Sequence, residues 1–245
     1  MSKEIKVLDF GYVKHIESWG TGEVGQSYNK NPQSFEYHRD FEVGIIEAAR
    51  QSTQGSFRGW ENDKKLLSYL YNNSHSTPFE FSGMVIEVQA PIFVFREWHR
   101  HRTQSYNEMS ARYSPLPDIN YTPTKERCFL TQETNKQAQG TGKGELNDIN
   151  CEMWLSNTVR VYEEFEKHYQ LGLSIGIPKE LARIILPVGR YSRMRASANL
   201  RNWLAFLTLR MAPNAQYEIR MFANAVGEII KEEFPRTWEL FKDKI

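Results

Sequence analysis

Apolar positions along this chain recur at two spacings, near 3.6 and near 2, and the changes between them mark out the elements. Residues 5–16 alternate loosely and predict a first strand, and the Gly, Ser and Asn of 18–32 predict a loop. Over 35–50, Phe41, Ile45, Ile46 and Ala49 recur at helical spacing. A second helix is expected over 62–71 through Leu66, Leu67 and Leu70, broken by the turn from His75 to Phe79. Residues 83–89 put Met84, Ile86 and Val88 on one side, the pattern of a half-buried strand. Pro91 suits the first turn of a following helix, with Ile92, Phe95, Trp98 and His99 on its inner face.

The second half reads mainly as helix. Residues 131–147 carry almost no apolar side chain and predict an exposed loop. After Asp148 a long amphipathic helix is expected to reach His168 or beyond, with Trp154, Val161 and Phe165 inward. Pro178 opens a short helix that ends before Pro187. Residues 190–198 predict a strand with Tyr191, Arg193 and Arg195 on one side. Asn199 is a natural N-cap for a helix carrying Leu200, Trp203, Leu204 and Leu207. A helix over 216–233 closes the fold, and no internal repeat is visible.

Composition narrows the class. The chain has 245 residues, 40% of them apolar, enough for a sizeable core in a single domain. Thirty-one basic against 30 acidic residues give no general attraction to nucleic acid or anionic membrane. Cys128 and Cys151 form no CxxC pair, which argues against a zinc site or a disulfide scaffold. The polar first ten residues lack the apolar stretch of a signal peptide, and no run is long enough to span a bilayer, so a cytoplasmic protein is expected.

Against that neutral background, positive charge is local. Arg96, Arg100, Arg102 and Arg112 share a short segment with His99, His101, Ser105, Asn107, Glu108 and Ser110. Guanidinium groups among short polar side chains suit a small anionic ligand, since they grip phosphate oxygens in pairs. The bland alternative is a solvated turn. On a helix, His99 and His101 would point in roughly opposite directions and could not chelate one ion, so no metal is expected. A second cluster comprises Arg183, Arg190, Arg193, Arg195, Arg201 and Arg210, with Tyr191, Asn199 and Trp203 between them. Arg210 follows a largely apolar helix face, where an unpaired cation is costly. It lies nine positions past Arg201, half a turn out of phase, so the two should serve different ligands or one pocket from different subunits. The stretch from Gly140 to Gly144 fails as a phosphate loop, because no Ser or Thr follows Lys143. A nucleic-acid-binding module using the basic, aromatic-laced segments is the rival reading.

The register Arg100, His101, Arg102, Ser105, Asn107, Glu108, Ser110, Arg112 resembles, position for position, the signature of flavin-dependent thymidylate synthases. Resemblance extends to the turn His75, Thr77, Pro78, Phe79, Glu80, to the stretches 90–94 and 182–187, and to Asn199 and Arg201 with Arg210 downstream. It implies an α+β protomer, a mixed sheet flanked by long helices, in a homotetramer with shared active sites. It implies conversion of dUMP to dTMP, with methylenetetrahydrofolate as carbon donor and FAD, reduced by NADPH, as hydride source, and no partner nucleic acid or membrane. Carried over by position, Thr77, Arg100, His101, Arg102, Glu108, Asn199, Leu200 and Arg201 are expected at FAD. Glu97, Trp98, His99, Arg100, Glu108, Met109, Ser110, Ala111, Arg112 and Arg183 are expected at dUMP, and Arg210 is expected as the catalytic cation on the uracil. Ser110 has no base beside it in sequence and is expected to bind, not attack. The chain departs from the family pattern at Ala205, where Asn or His is common, at Phe81, where His is common, and at Glu97, where Gln is frequent.

Overall fold

Among the described residues, five strands form one sheet in the order β1-β2-β3-β5-β4, and every neighbouring pair is antiparallel. They are β1 (Glu4–Val7), β2 (Gly11–Trp19), β3 (Gly83–Pro91), β4 (Ser105–Glu108) and β5 (Tyr191–Asn199). The computed structural model describes residues 3–20, 40–53, 55–130 and 146–244. The α+β class stands. The expected mixed sheet does not, because no described pair of strands runs parallel.

Nine α-helices are present among the described residues: α1 (Val43–Arg50), α2 (Trp60–Asn72), α3 (Ile92–Trp98), α4 (Lys125–Phe129), α5 (Asp148–Ser174), α6 (Lys179–Ala182), α7 (Leu200–Arg210), α8 (Tyr217–Glu233) and α9 (Pro235–Phe241). Short 3-10 turns span Thr77–Glu80 and Arg183–Ile185. One sheet face is apolar and fully covered: Val13, Met84, Ile86, Val88, Met194 and Ala196 are all buried. They meet Trp203, Phe206 and Leu207 of α7 and Phe222, Val226 and Ile230 of α8 in one core that runs from Val7 to Phe241. Each such large side chain contributes roughly 1.5–3 kcal/mol by leaving water. The other face is polar, pairing Glu87 with Arg195 and Gln89 with Arg193 across the β3–β5 ladder.

Several expectations shift at element ends. The single strand over 5–16 is a hairpin, because Leu8 takes a left-handed φ of 58° and Asp9 anchors the turn. Asp9 accepts from Phe10 N at 2.9 Å, from Thr122 N at 3.2 Å and from the Tyr191 hydroxyl. Thr122 and Tyr191 are remote in sequence, so local pattern could not show them. The helix expected over 35–50 begins only at Val43, its first residues lying outside the described part, as do most of the 18–32 and 131–147 loops. Asp40 and Glu42 are used elsewhere: buried Glu42 accepts from Arg236 N, Thr237 N and the Arg236 guanidinium, tying down α9. That last helix begins at Pro235 and lies beyond the helix expected to close the fold. Pro91 ends β3 rather than lying inside α3, and His99 is exposed rather than inward.

The largest correction concerns α5. Its 27 residues run past His168 as expected, yet Trp154, Val161 and Phe165 point outward, 53%, 44% and 36% exposed. Cys151 and Tyr169 face inward instead. The stripe of Trp154, Val161 and Phe165 lies beside the line that meets this chain's own core. None of the described helices is long and apolar enough to cross a membrane.

Candidate active site

The basic segment is a turn fastened to α7. Trp98 is fully buried and stacks on Phe206 at 4.6 Å, which fixes the end of α3. Its indole N–H donates to Gln104 Oε1 at 3.1 Å, closing the turn. The Tyr106 hydroxyl donates to the Trp98 and His101 carbonyls at 3.2 and 2.7 Å, and Asn202 Nδ2 donates to the Thr103 carbonyl at 3.0 Å. The segment then enters β4, which pairs with β5 from Ser105↔Ser197 to Glu108↔Met194. His99 Nε2 lies 3.1 Å from Met194 Sδ. Gln104, Tyr106 and Asn202 carry no sequence signal for this work, since Gln104 holds the buried Trp98 indole and the other two hold backbone.

Arg210 ends α7 and is not left unpaired. Its Nε donates to His101 Nε2 at 2.8 Å, Nη1 to Glu97 Oε2 at 2.8 Å, and Nη2 to the Glu97 carbonyl at 3.0 Å. This arrangement requires a neutral His101 with its proton on Nδ1, leaving Nε2 to accept. Burial, with help from the neighbouring Arg210 cation, pushes the His101 pKa down to about 4. The sign follows directly. A histidine whose folded pKa lies below its unfolded value contributes stability above about pH 6.5 that is lost as the pH falls toward about 4. An NMR titration should therefore show His101 with a midpoint near 4, and a midpoint near 6.5 would contradict the assigned hydrogen bond.

Half a turn away on α7, Arg201 faces another site. It pairs with Glu80 of the Thr77–Glu80 turn. Both partners are substantially exposed, so the pair adds about 0–1 kcal/mol and the guanidinium stays available to a ligand. Beside it lies a cavity of about 250 Å3 lined by Leu70, Tyr71, Ser74, His75, Phe79 and Arg201. A second cavity of about 500 Å3 shares Leu70, Ser74, His75 and Ser76 and reaches Thr77. An apolar and aromatic wall with one cation at its rim fits a dinucleotide, a flat ring system joined to a pyrophosphate. Asn199 is the N-cap of α7, its Oδ1 accepting from Asn202 N at 3.0 Å. Leu200 is buried with its N–H donated to the Ser82 carbonyl, so its side chain belongs to the core. Glu80 lay inside a motif read only as a turn.

The third group gathers around α6. Arg112 Nε donates to Glu180 Oε2 at 3.1 Å, Arg183 Nε to the Glu180 carbonyl at 3.4 Å, and Lys179 Nζ to the Tyr113 carbonyl at 3.0 Å. Met109 N donates to the Arg193 carbonyl at 2.7 Å. The Ser110 hydroxyl accepts from Arg112 N at 3.3 Å, and among the described residues no histidine or carboxylate hydrogen-bonds it. Ala111 is buried, while Arg100 and Arg102 are exposed. Glu180 had no signal in the sequence. Among the described residues no hydrogen bond or ion pair joins this third group to Arg210 or Arg201. Among the described residues, then, one protomer carries three groups of cationic side chains that no hydrogen bond or ion pair links.

An antiparallel α+β scaffold carries these arginines, with Arg210 held by a neutral histidine, an arrangement suited to an anionic ligand. Residues 35–236 match the family model described as thymidylate synthase complementing protein. The flavin-dependent thymidylate synthase of Thermus thermophilus is 36% identical over 98% of this chain and 79% of its own length. That of Thermotoga neapolitana is 33% identical over 97% and 94%. Among solved structures, the UMP/dUMP methylase PolB from Streptomyces cacaoi bound with 5-Br dUMP superposes with a TM-score of 0.77 at 30% identity, covering 98% of this chain and 97% of its own. The chain belongs to the flavin-dependent thymidylate synthase family.

Proposed function

We infer that this chain converts dUMP to dTMP, taking the carbon from methylenetetrahydrofolate and the hydride from FAD reduced by NADPH. The family membership supports the reaction, and the mounted Arg210 is the observation that carries it at the level of residues. Three of the five guanidinium N–H groups of Arg210 are engaged within the chain, which leaves two for a ligand. A fixed cation at the uracil stabilises negative charge as N3 ionises, and that charge makes C5 nucleophilic toward the methylene carbon. When bound, FAD supplies the hydride that completes the methyl group. Thr77, Arg100, His101, Arg102, Glu108, Asn199, Leu200 and Arg201 are assigned to FAD. Arg201 supplies the phosphate contact, and the cavity from Leu70 to Phe79 supplies the ring contact.

Arg112 and Arg183, facing the same Glu180, are assigned to the dUMP phosphate, with Ser110 as a further donor. Glu97, Trp98, His99, Arg100, Glu108, Met109 and Ala111 complete the nucleotide site, Trp98 and Ala111 through backbone, since both side chains are buried. Arg201 and Arg210 lie half a turn apart on α7 and meet different partners, which supports a site completed by neighbouring copies. The exposed stripe of α5 supports the same conclusion, because Trp154, Val161 and Phe165 have no partner in their own core. A homotetramer is proposed on these grounds. Purified protein should be yellow and should form dTMP from dUMP with NADPH and methylenetetrahydrofolate. A colourless protein that takes up no FAD, or one that forms no dTMP, would reject this function.

A further inference from the structure

Two of the three acceptors that hold Arg210 come from one residue. Glu97 presents its carboxylate to Nη1 and its own backbone carbonyl to Nη2, so one residue grips both ends of the guanidinium. The other carboxylate oxygen lies 3.7 Å from Arg100 Nη1. Glu97 is on the last turn of α3, immediately before Trp98, whose stacking on Phe206 clamps α3 to the helix that carries Arg210. The two residues are therefore held in register by the core beneath them. Both side chains are only partly exposed, at 30% and 16%, so their attraction is less screened than that of the outer pairs.

We propose that Glu97 is the positioning residue for Arg210, setting the angle at which the two remaining N–H groups face the pyrimidine, and that its carboxylate does not itself contact the nucleotide. This rests on the reading of Arg210 as the uracil contact, and it revises the assignment of Glu97 to the nucleotide given above. The physical reason is preorganisation. An arginine on a flexible stem loses rotamer freedom on meeting its ligand, and a side chain already mounted on three acceptors has lost it beforehand. Glutamine at position 97 would keep an oxygen acceptor for Nη1 while removing the charge, so it should retain most of the positioning.

The test is a double-mutant cycle on the FAD-loaded protein, with dUMP affinity measured calorimetrically and flavin absorbance confirming an intact fold. Glu97→Ala should weaken dUMP binding about tenfold, the loss of one charge-assisted hydrogen bond. Glu97→Gln should recover most of that loss. The double variant Glu97→Ala, Arg210→Ala should bind dUMP within about twofold of Arg210→Ala alone, because a residue that acts through Arg210 has nothing left to act on. Losses that multiply in the double variant would overturn the proposal and place Glu97 on the nucleotide directly. A glutamine variant as weak as the alanine variant would overturn it too. If Glu97→Ala fails to fold, Glu97→Asp withdraws the carboxylate by one methylene and gives the same cycle with a smaller effect. Wild-type dUMP affinity in Arg210→Ala alone would fail differently, removing the role of Arg210 on which the proposal stands.

Discussion

Arg210→Ala is expected to lower turnover by about 10²–10³-fold while the protein stays yellow and folded, the range seen when one preorganised donor is removed from developing charge. The reasoning starts from burial. Arg210 lies at the end of a helix whose other inward residues are apolar, and its side chain is only 16% exposed. A cation there persists only when paired, and it is paired: with Glu97, and with a His101 kept neutral by burial. Flavin absorbance should survive, because the Arg201 station lies half a turn away around α7 and does not depend on Arg210. Arg210→Lys should rescue little, since an ammonium cannot engage a carboxylate, a carbonyl and an imidazole in one plane while presenting two further donors. Steady-state turnover with the flavin spectrum recorded on the same sample checks this, and near-normal turnover would remove the residue from the chemistry.

The second large effect is on assembly. If the proposed homotetramer forms through the exposed stripe of α5, Trp154→Glu combined with Phe165→Glu should dissociate it and abolish activity while leaving the helix content of the protomer intact. Trp154, Val161 and Phe165 follow one another at seven- and four-residue spacing, so they share a stripe, and that stripe is exposed. Burying each against a neighbour gains roughly 1.5–3 kcal/mol. A carboxylate in the same place loses that gain and adds a desolvation penalty of several kcal/mol. Sedimentation with and without the substitutions, alongside far-UV circular dichroism, measures it. An unchanged assembly would show that the stripe is solvent-facing in the working enzyme.

Those three residues also show what a sequence can and cannot display. Periodicity located α5 but placed the wrong side inward, since an apolar stripe on a helix does not say what, if anything, covers it. Elements with strong local signals came through well. Asn199 caps α7 as expected, Leu200, Trp203, Leu204 and Leu207 are buried, and Met84, Ile86 and Val88 line the covered sheet face. The hairpin at Leu8 stayed hidden because Asp9 is anchored by Thr122 and Tyr191, more than a hundred residues away. The late start of α1 shares that origin, since Glu42 turns to Arg236 and Thr237 rather than into its own helix. At the site, the spacing of the basic segment displayed residue types suited to an anion. It gave no sign of Glu80 or Glu180, because carboxylates facing arginines across the fold leave no periodic trace. The half-turn offset of Arg201 and Arg210, read from nine residues of helix, does separate them in space.

The central claim is that cationic groups from separate stretches of chain form one site across protomers, and subunit mixing tests it most directly. Arg210→Ala and Arg183→Ala chains, each inactive alone, are co-expressed with different tags, and the mixed assemblies are purified through both. If Arg210 of one copy works with Arg183 of another, some sites in the mixture contain neither substitution, and dTMP formation returns to a substantial fraction of wild type. Mixed assemblies as inactive as either parent would mean that each chain supplies its own complete site, contrary to this account.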